Sequence, residues 1–184
     1  GLCQPGDEPA RRPAAGGRVS LPFRILGPLE VGEAEPRLPL QARVLLGVLL
    51  LRAGEVVSAQ RLADEIWGES PPASWVNALQ VYASRIRKAL ADAGADAELR
   101  RHGPGYALDV PPETVDALVF ERMSRSAFVL VETNPTRADA LLRDALSLWR
   151  GPVLDGLEFE LLASVEIERL GEARLGALEQ RLEP

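Results

Sequence analysis

The residues best suited to chemistry in this 184-residue chain are polar and basic side chains on one predicted helix, residues 75–93. At about 100° per residue, its apolar side chains fall on one side and its polar ones on the other. No acidic residue occurs between Ser74 and Ala91. Arginine pairs with guanine, asparagine or glutamine pairs with adenine, and basic side chains also bind phosphates. The pattern therefore predicts a helix that enters the major groove of DNA. Its candidate contact residues are Asn77, Gln80, Val81, Ser84, Arg85, Arg87 and Lys88.

An ordinary solvent-exposed amphipathic helix is the alternative interpretation of the same residues. Exposed helical faces usually mix glutamate with lysine, because such pairs stabilise a helix when they lie four residues apart. Residues 75–91 contain no acid and therefore lack these pairs. The elements that surround the helix discriminate between the two interpretations.

The surrounding elements follow the order of a winged helix-turn-helix domain. The helix at 41–53 is apolar on almost every side, so it must be buried on most of its surface. Ser58 is predicted to cap the helix that follows. The predicted elements are strands at 23–31 and 38–40, helices at 41–53, 59–67 and 75–93, and a hairpin of strands at 98–101 and 106–110.

The predicted hairpin turns at Gly103-Pro104-Gly105 and corresponds to the wing of such a domain. Arg101 and His102 precede the turn and are predicted at the wing tip, beside the recognition helix. Basic side chains at that place contact the minor groove or the DNA backbone. An exposed turn residue without a partner is the alternative interpretation of His102.

The rest of the chain is predicted to be all-helical, with helices at 115–131, 135–149 and 159–182. These three helices form a small bundle or the start of a helical, TPR-like array. Pro111-Pro112 marks the predicted boundary between the two units. The expected fold class is mainly α with small β-sheets. The expected segments are a disordered leader at 1–20, a winged helix DNA-binding domain at 21–110 and a helical domain at 113–184.

Charge is distributed unevenly between the two units. The chain has a formal net charge of −6. The whole excess lies in residues 111–184, which hold 14 Asp and Glu against eight Arg. Phosphate repels such a surface, so we expect the helical unit to face a basic protein partner or a neighbouring protomer instead of DNA.

Composition also excludes several classes of function. The single cysteine, Cys3, and the single histidine allow neither an internal disulfide nor a Cys/His zinc site. No Gly-rich phosphate loop occurs and no base stands near a nucleophile, so we expect no enzyme, catalytic residue, cofactor or metal. Asp64 and Glu65 are interpreted as a solvated acidic pair on a helix. The longest apolar run, 44–51, has eight residues, so no membrane span is expected. The single cysteine fits a reducing compartment, so the expected location is the cytoplasm.

Several segments together resemble the Streptomyces antibiotic regulatory protein family. Those regulators join a winged helix of the OmpR/PhoB type to a bacterial transcriptional activator domain. The resemblance covers about residues 22–184, and the block at 77–90 is its most specific part. The matching segments are Leu26-Gly-Pro-Leu-Glu-Val31, Trp67-Gly-Glu-Ser-Pro-Pro72, Asn77–Leu90, Gly103-Pro-Gly-Tyr106 and Leu141–Trp149 with Arg150-Gly151-Pro152.

The resemblance implies a sequence-specific activator that binds direct repeats near promoters as a head-to-tail dimer. It further implies recruitment of RNA polymerase and its sigma factor at antibiotic biosynthesis genes. Arg85 would read a base with Asn77, Gln80 and Ser84 beside it. Arg87 and Lys88 would hold phosphates, and Arg101 and His102 would enter at the wing.

Two features depart from the family pattern. The activator domain is usually longer, so the resemblance predicts a partial one here. Trp75 stands where a small residue is more usual, and its side chain contacts either the core or a partner. The alternative function is a helical protein-interaction module that does not bind DNA, although that function leaves the acid-free face of residues 75–91 unexplained.

Overall fold

The structure is a computed structural model that describes residues 21–182, so the predicted leader lies outside the described residues. It is mainly α with two small antiparallel sheets, which confirms the predicted fold class. Within residues 21–182, no helix has the length and apolar content needed to cross a bilayer. In chain order the elements are β1 (Phe23–Arg24), β2 (Glu30–Val31), α1 (Leu40–Leu51), β3 (Val57–Ser58), α2 (Ala59–Trp67), α3 (Trp75–Asp92), β4 (Glu98–His102), β5 (Gly105–Asp109), α4 (Asp116–Leu130), α5 (Pro135–Leu146) and α6 (Leu161–Leu182).

The first unit is a winged helix-turn-helix built from α1, α2, α3 and a three-stranded sheet. The sheet has the order β3-β5-β4, and β4 and β5 form the predicted hairpin. Ser58 ends β3 and caps α2, since its hydroxyl accepts a hydrogen bond from the Arg61 N–H at 3.3 Å. The cap predicted from the sequence is therefore confirmed.

Two predictions for the N-terminal segment are wrong. Residues 23–31 form a hairpin of two short strands, with Phe23 paired to Val31. The sequence predicts one strand here, with Gly27-Pro28 as an edge position or a bulge. Gly27 explains the turn, because its φ of +155° lies outside the range that other residues readily adopt. The predicted strand at 38–40 is instead the end of a loop, at Leu38 and Pro39, and the first residue of α1, Leu40. Pro36 and Pro39 explain this loop, since neither has an N–H to donate to a sheet.

Helix α1 is buried on most sides, as its nearly continuous apolar sequence predicts, and it contacts elements of both units. Leu45, Leu46 and Leu49 are fully buried. A Cβ at Gly47 would lie 3.1 Å from Leu154 and 3.2 Å from Phe159, both in the segment that precedes α6. The glycine therefore lets this later segment pack directly on the helix.

The second unit consists of α4, α5 and α6, with α4 packed most extensively on α5. Asn134 caps α5 by accepting a hydrogen bond from the Arg137 N–H at 3.1 Å. Trp149 follows α5 and meets Phe120 of α4 edge-on, with ring centroids 5.3 Å apart. The Arg174 guanidinium of α6 lies 4.8 Å from the centre of the Trp149 ring. These aromatic and cation–π contacts join the three helices.

The N-terminal hairpin is held by the second unit. The Asp116 carboxylate, 1% exposed at the start of α4, accepts hydrogen bonds from the Ile25 and Leu26 N–H groups at 2.8 and 3.0 Å. Burial raises the pKa of Asp116, while these hydrogen bonds and the Arg150 charge oppose the rise. The Arg150 guanidinium donates to Glu30 at 2.9 Å and to the Pro28 carbonyl at 2.8 Å. The turn between β1 and β2 is thus bound from two places in the second unit.

A second set of polar contacts joins α1 and α2 to α6. Arg52 pairs with Glu166 at 2.6 Å. Glu65 is 5% exposed, and its carboxylate accepts a hydrogen bond from the Leu162 N–H at the start of α6. The interpretation of Asp64 and Glu65 as a solvated pair is therefore wrong for Glu65, because α6 covers it. Asp64 is exposed.

Candidate nucleic-acid interface

Helix α3 has the two sides that its sequence predicts. Leu79, Ala83, Ile86 and Leu90 are buried against the core. The opposite side is exposed and carries all seven candidate contact residues of the helix. These exposed residues are Asn77, Gln80, Val81, Ser84, Arg85, Arg87 and Lys88.

The N-terminal half of α3 is fixed by aromatic side chains. Tyr82 packs against Trp67 of α2, with ring centroids 6.1 Å apart. Trp75 is partly buried and packs against the core. Of the two roles open for Trp75, the structure therefore supports the core contact. These contacts hold the N-terminal half of α3 against α2 and the core.

The wing is attached directly to α3. The Arg87 Nε donates a hydrogen bond to the Leu99 carbonyl of β4 at 2.9 Å. Arg101 and His102 are exposed at the end of β4, next to the turn. Arg100 is also exposed and pairs with Asp109 of β5. Arg87 therefore joins α3 to the wing, and the two wing-tip side chains remain accessible.

The cations of α3 differ in their partners. Arg85 makes no ion pair within residues 21–182. Lys88 pairs with Asp92 at 3.0 Å, with 76% and 66% of the two side chains exposed. Exposed pairs of this kind contribute little free energy. An incoming phosphate can thus replace Asp92 as the partner of Lys88.

Both units match known protein families. Residues 33–108 match the family described as "Transcriptional regulatory protein, C terminal", and residues 115–184 match the "Bacterial transcriptional activator domain". This pair of domains, in this order, is the arrangement that the sequence resemblance implies. In both domains and in their order, the chain is similar to the Streptomyces antibiotic regulatory protein family.

Three curated relatives of this family are similar over most of the chain. The regulatory protein DnrI of Streptomyces peucetius is 36% identical over 88% of the chain. The transcriptional regulator RedD of Streptomyces coelicolor is 38% identical over 76%, and the regulatory protein AfsR of the same species is 39% identical over 89%. The chain spans 63% of the length of DnrI, 41% of RedD and 16% of AfsR.

A solved structure supports the fold of this chain. The chain is similar to Mycobacterium tuberculosis EmbR in complex with a low-affinity phosphopeptide, with a TM-score of 0.76 and 29% sequence identity. The similarity covers 89% of this chain and 46% of the EmbR chain. The similarity therefore extends over both units of the chain.

The structure places one further basic residue, which the sequence did not reveal, beside the exposed side of α3. Arg37, in the loop between β2 and α1, lines a groove of about 580 Å³ together with Arg85 and Lys88. Arg37 is exposed and makes no ion pair among the described residues. No local pattern predicts this placement, because Arg37 lies in an irregular loop far from α3 along the chain.

Proposed function

We propose that the chain is a sequence-specific DNA-binding transcriptional activator. The observation that carries this proposal is the exposed side of α3, which offers amide, hydroxyl and guanidinium groups with no acid before Asp92. Its apolar back is buried, so the helix is held rigidly with those groups outward. A protein-interaction helix has no need of such an acid-free face.

Within this proposal, Arg85 reads a base in the major groove with Asn77, Gln80 and Ser84 beside it. An arginine that contacts guanine uses two parallel hydrogen bonds and therefore needs a free guanidinium. The lack of an ion pair at Arg85 among the described residues supports the assignment. Val81 is 41% exposed on the same face and fits contact with a thymine methyl group.

Phosphate contacts fall to the residues that flank this reading face. Lys88 holds a phosphate in place of Asp92. Arg87 keeps its hydrogen bond to Leu99 and offers its remaining N–H groups to the backbone. Arg101 and His102 contact the minor groove or the backbone from the wing. Arg37 extends the basic surface at the C-terminal half of α3.

The acidic second unit supplies the activating function. Its six excess negative charges fit basic surfaces of RNA polymerase or its sigma factor better than DNA. Two protomers bind head-to-tail on direct repeats, because one winged helix covers only about 600–1,000 Å². The genes under control are those of antibiotic biosynthesis, and the regulator acts in the cytoplasm.

Selection of bound DNA from a random library tests the proposal with this protein alone. We expect enrichment of a repeated half-site, followed by a salt-dependent gel shift on the selected sequence. Failure to enrich any sequence, together with no gel shift at low salt, would favour the interaction module. Stimulated transcription from a promoter carrying the selected site, with purified RNA polymerase holoenzyme, then tests the activating function.

A further inference from the structure

Lys88 is the only lysine in the sequence. The chain has 21 Lys and Arg in total, and all the others are arginines. A guanidinium stays protonated in proteins, whereas a lysine amine can lose its proton and then act as a nucleophile. Lys88 lies on the exposed side of α3, with 76% of its side chain exposed. The sequence therefore carries one side-chain amine that can be acylated, and the fold places it on α3.

The Lys88 side chain borders a groove between α3 and the loop that precedes α1. The groove has a volume of about 580 Å³, and Arg37, Arg85 and Asp92 also line it. Arg85, Lys88 and Asp92 lie on one side of α3, because they are spaced three and four residues apart. Arg37 reaches the groove from the loop, and Ala89 adds an apolar side chain next to the amine. A small molecule in the groove would thus meet the amine, a carboxylate and two guanidinium groups.

The groove has an excess of positive charge. Of the two acids that line it, Glu35 is paired with an arginine of α1, and Asp92 is paired with Lys88 at 3.0 Å. Arg37 and Arg85, by contrast, make no ion pair within residues 21–182. A guanidinium binds phosphate well, since its parallel N–H groups match two phosphate oxygens. The two unpaired arginines therefore favour a small ligand that carries a phosphoryl group.

We propose that Lys88 is a site of acylation by an acyl phosphate, and that this modification weakens DNA binding. Arg37 and Arg85 bind the phosphoryl group and hold the acyl carbon beside the Lys88 Nζ. The effect on DNA rests on the proposed function, because Lys88 must contact DNA for its modification to matter. The acylation step itself does not depend on DNA.

The acylation step forms one bond and breaks one. The Lys88 ammonium first releases a proton to solvent, and the lone pair of Nζ then attacks the carbonyl carbon of the acyl phosphate. An amide N–C bond forms, the bond from the carbonyl carbon to the phosphate oxygen breaks, and inorganic phosphate leaves with the electron pair. The second proton of the nitrogen passes to Asp92, 3.0 Å away, and from there to the departing phosphate or to solvent. The acyl phosphate is the one co-reactant that the step needs.

Acylation removes the charge with which Lys88 holds a DNA phosphate under the proposed function. The amide nitrogen is neutral, so it cannot replace a counterion of the DNA. Loss of one phosphate contact lowers the salt slope by about one and weakens binding roughly tenfold at about 0.1 M salt. A rising concentration of acyl phosphate would thus lower the occupancy of the operator.

Acetyl phosphate tests the acylation step on the full 184-residue chain. Mass spectrometry of proteolytic peptides follows acetylation at Lys88 over time. A synthetic peptide of residues 84–92 with blocked termini is the reference, since it contains the same amine without the groove. We expect Lys88 in the folded chain to react at least about threefold faster than in the peptide, because the groove concentrates the anion. An equal or slower reaction in the folded chain would overturn the proposal.

Two arginine variants locate the phosphoryl site. Arg37→Gln should slow acetylation of Lys88 at least about threefold, because it removes one of the two unpaired cations of the groove. Arg122→Gln, on the exposed side of α4, is the matched control and should react within about twofold of the parent. Equal rates in the parent and in Arg37→Gln would overturn the proposal, as would an equal loss of rate in both variants.

Gel shifts before and after treatment with acetyl phosphate test the effect on DNA. The acetylated parent should bind the selected site roughly tenfold more weakly, with a lower salt slope. Lys88→Arg keeps a cation but has no amine to acylate, so the treatment should leave its affinity, whatever its starting value, unchanged. An unchanged affinity of the fully acetylated parent, or an equal loss in Lys88→Arg, would overturn the proposed effect. If the untreated parent shifts no DNA, the proposed function fails, while the rates of the parent and Arg37→Gln still decide the acylation site.

Discussion

At the scale of single residues, two neighbouring cations of α3 are expected to differ in what they recognise. Arg85→Ala should weaken the best site by about 1–3 kcal/mol and relax specificity at one base pair, because a bidentate contact is lost. Lys88→Ala should weaken all sequences alike and lower the salt slope by about one, because one phosphate contact is lost. Gel shifts on the selected site, on single-base variants and across a salt series measure both effects. If both variants bound the selected site as tightly as the parent chain does, the exposed side of α3 would not enter the major groove.

Glu65 makes the free energy of unfolding depend on pH. Its pKa is raised chiefly by burial, with a smaller contribution from Glu160, while hydrogen bonds from the start of α6 oppose the rise. The folded chain therefore keeps this proton at a pH at which the unfolded chain has released it. The resulting stabilisation is complete below the unfolded pKa and is lost as the pH rises through the folded value.

The parent should thus gain stability relative to Glu65→Gln as the pH falls from about 7 to about 5. Urea unfolding at the two pH values measures this difference. The exposed Glu69→Gln is the control and should show no such trend. A constant difference between the parent and Glu65→Gln would contradict the assignment. Arg52 and Arg61 line the cleft between α2 and α6 together with Glu65. Salt screens the effect of their charges on Glu65, so the same low salt concentration should be used at both pH values.

At the scale of elements, the wing depends on a close approach of two strands. A Cβ at Gly105 would lie 2.4 Å from the Val57 carbonyl oxygen of β3, so the backbone would have to move. Gly105→Ala should destabilise the chain by about 1–3 kcal/mol and weaken DNA binding through a displaced wing. The matched control is Gly103→Ala in the same hairpin, where φ is +56° and nothing lies within 4 Å of the added Cβ.

Thermal unfolding by circular dichroism and gel shifts measure these two variants. Gly103→Ala should lose less stability and less DNA affinity than Gly105→Ala, since it strains the backbone only locally. If Gly103→Ala proved the more damaging of the two, pairing of β3 with β5 would not support the wing.

At the scale of the whole molecule, the two units are expected to fold together. Truncation after Val110 removes Val115, Asp116 and Arg150, which hold the β1–β2 hairpin. Phe23 and Ile25, now at most 1% exposed, would then lose much of their cover. We expect the fragment to melt at a lower temperature, with a broader transition and weaker operator binding. A fragment as stable as the full chain, measured by circular dichroism, would show that the second unit does not brace the first.

Two protomers are expected to bind neighbouring DNA half-sites together. Head-to-tail protomers on direct repeats should bind cooperatively when the half-sites lie about one helical turn apart. Insertion of about half a turn between the half-sites rotates one protomer to the other side of the duplex and should abolish cooperativity. Quantitative gel shifts on the two spacings measure this effect. Tight binding of one protomer to one half-site would contradict it.

Much of the fold and of the candidate interface was predictable from local sequence. The buried and exposed sides of α3 follow from helical periodicity, which depends only on neighbouring residues. The cap at Ser58 and the turn at Gly103-Pro104-Gly105 are likewise local. The apolar run of α1 correctly predicted burial, although not which segments cover it. Local chemistry therefore sufficed to predict the two sides of α3, the wing hairpin and the two domain families.

Long-range contacts determined the features that the sequence did not reveal. Apolar and polar side chains alternate along residues 23–31 as they do in a strand. The N–H groups of Ile25 and Leu26, however, donate to Asp116, which lies 91 residues beyond Ile25. Glu65 looks like a surface acid on α2, but Leu162, 97 residues later, covers it. Arg37 joins the basic side of α3 only through the path of its loop. Sequence periodicity reports which side of an element is apolar, whereas the burial of one particular group depends on the distant segment that packs against it.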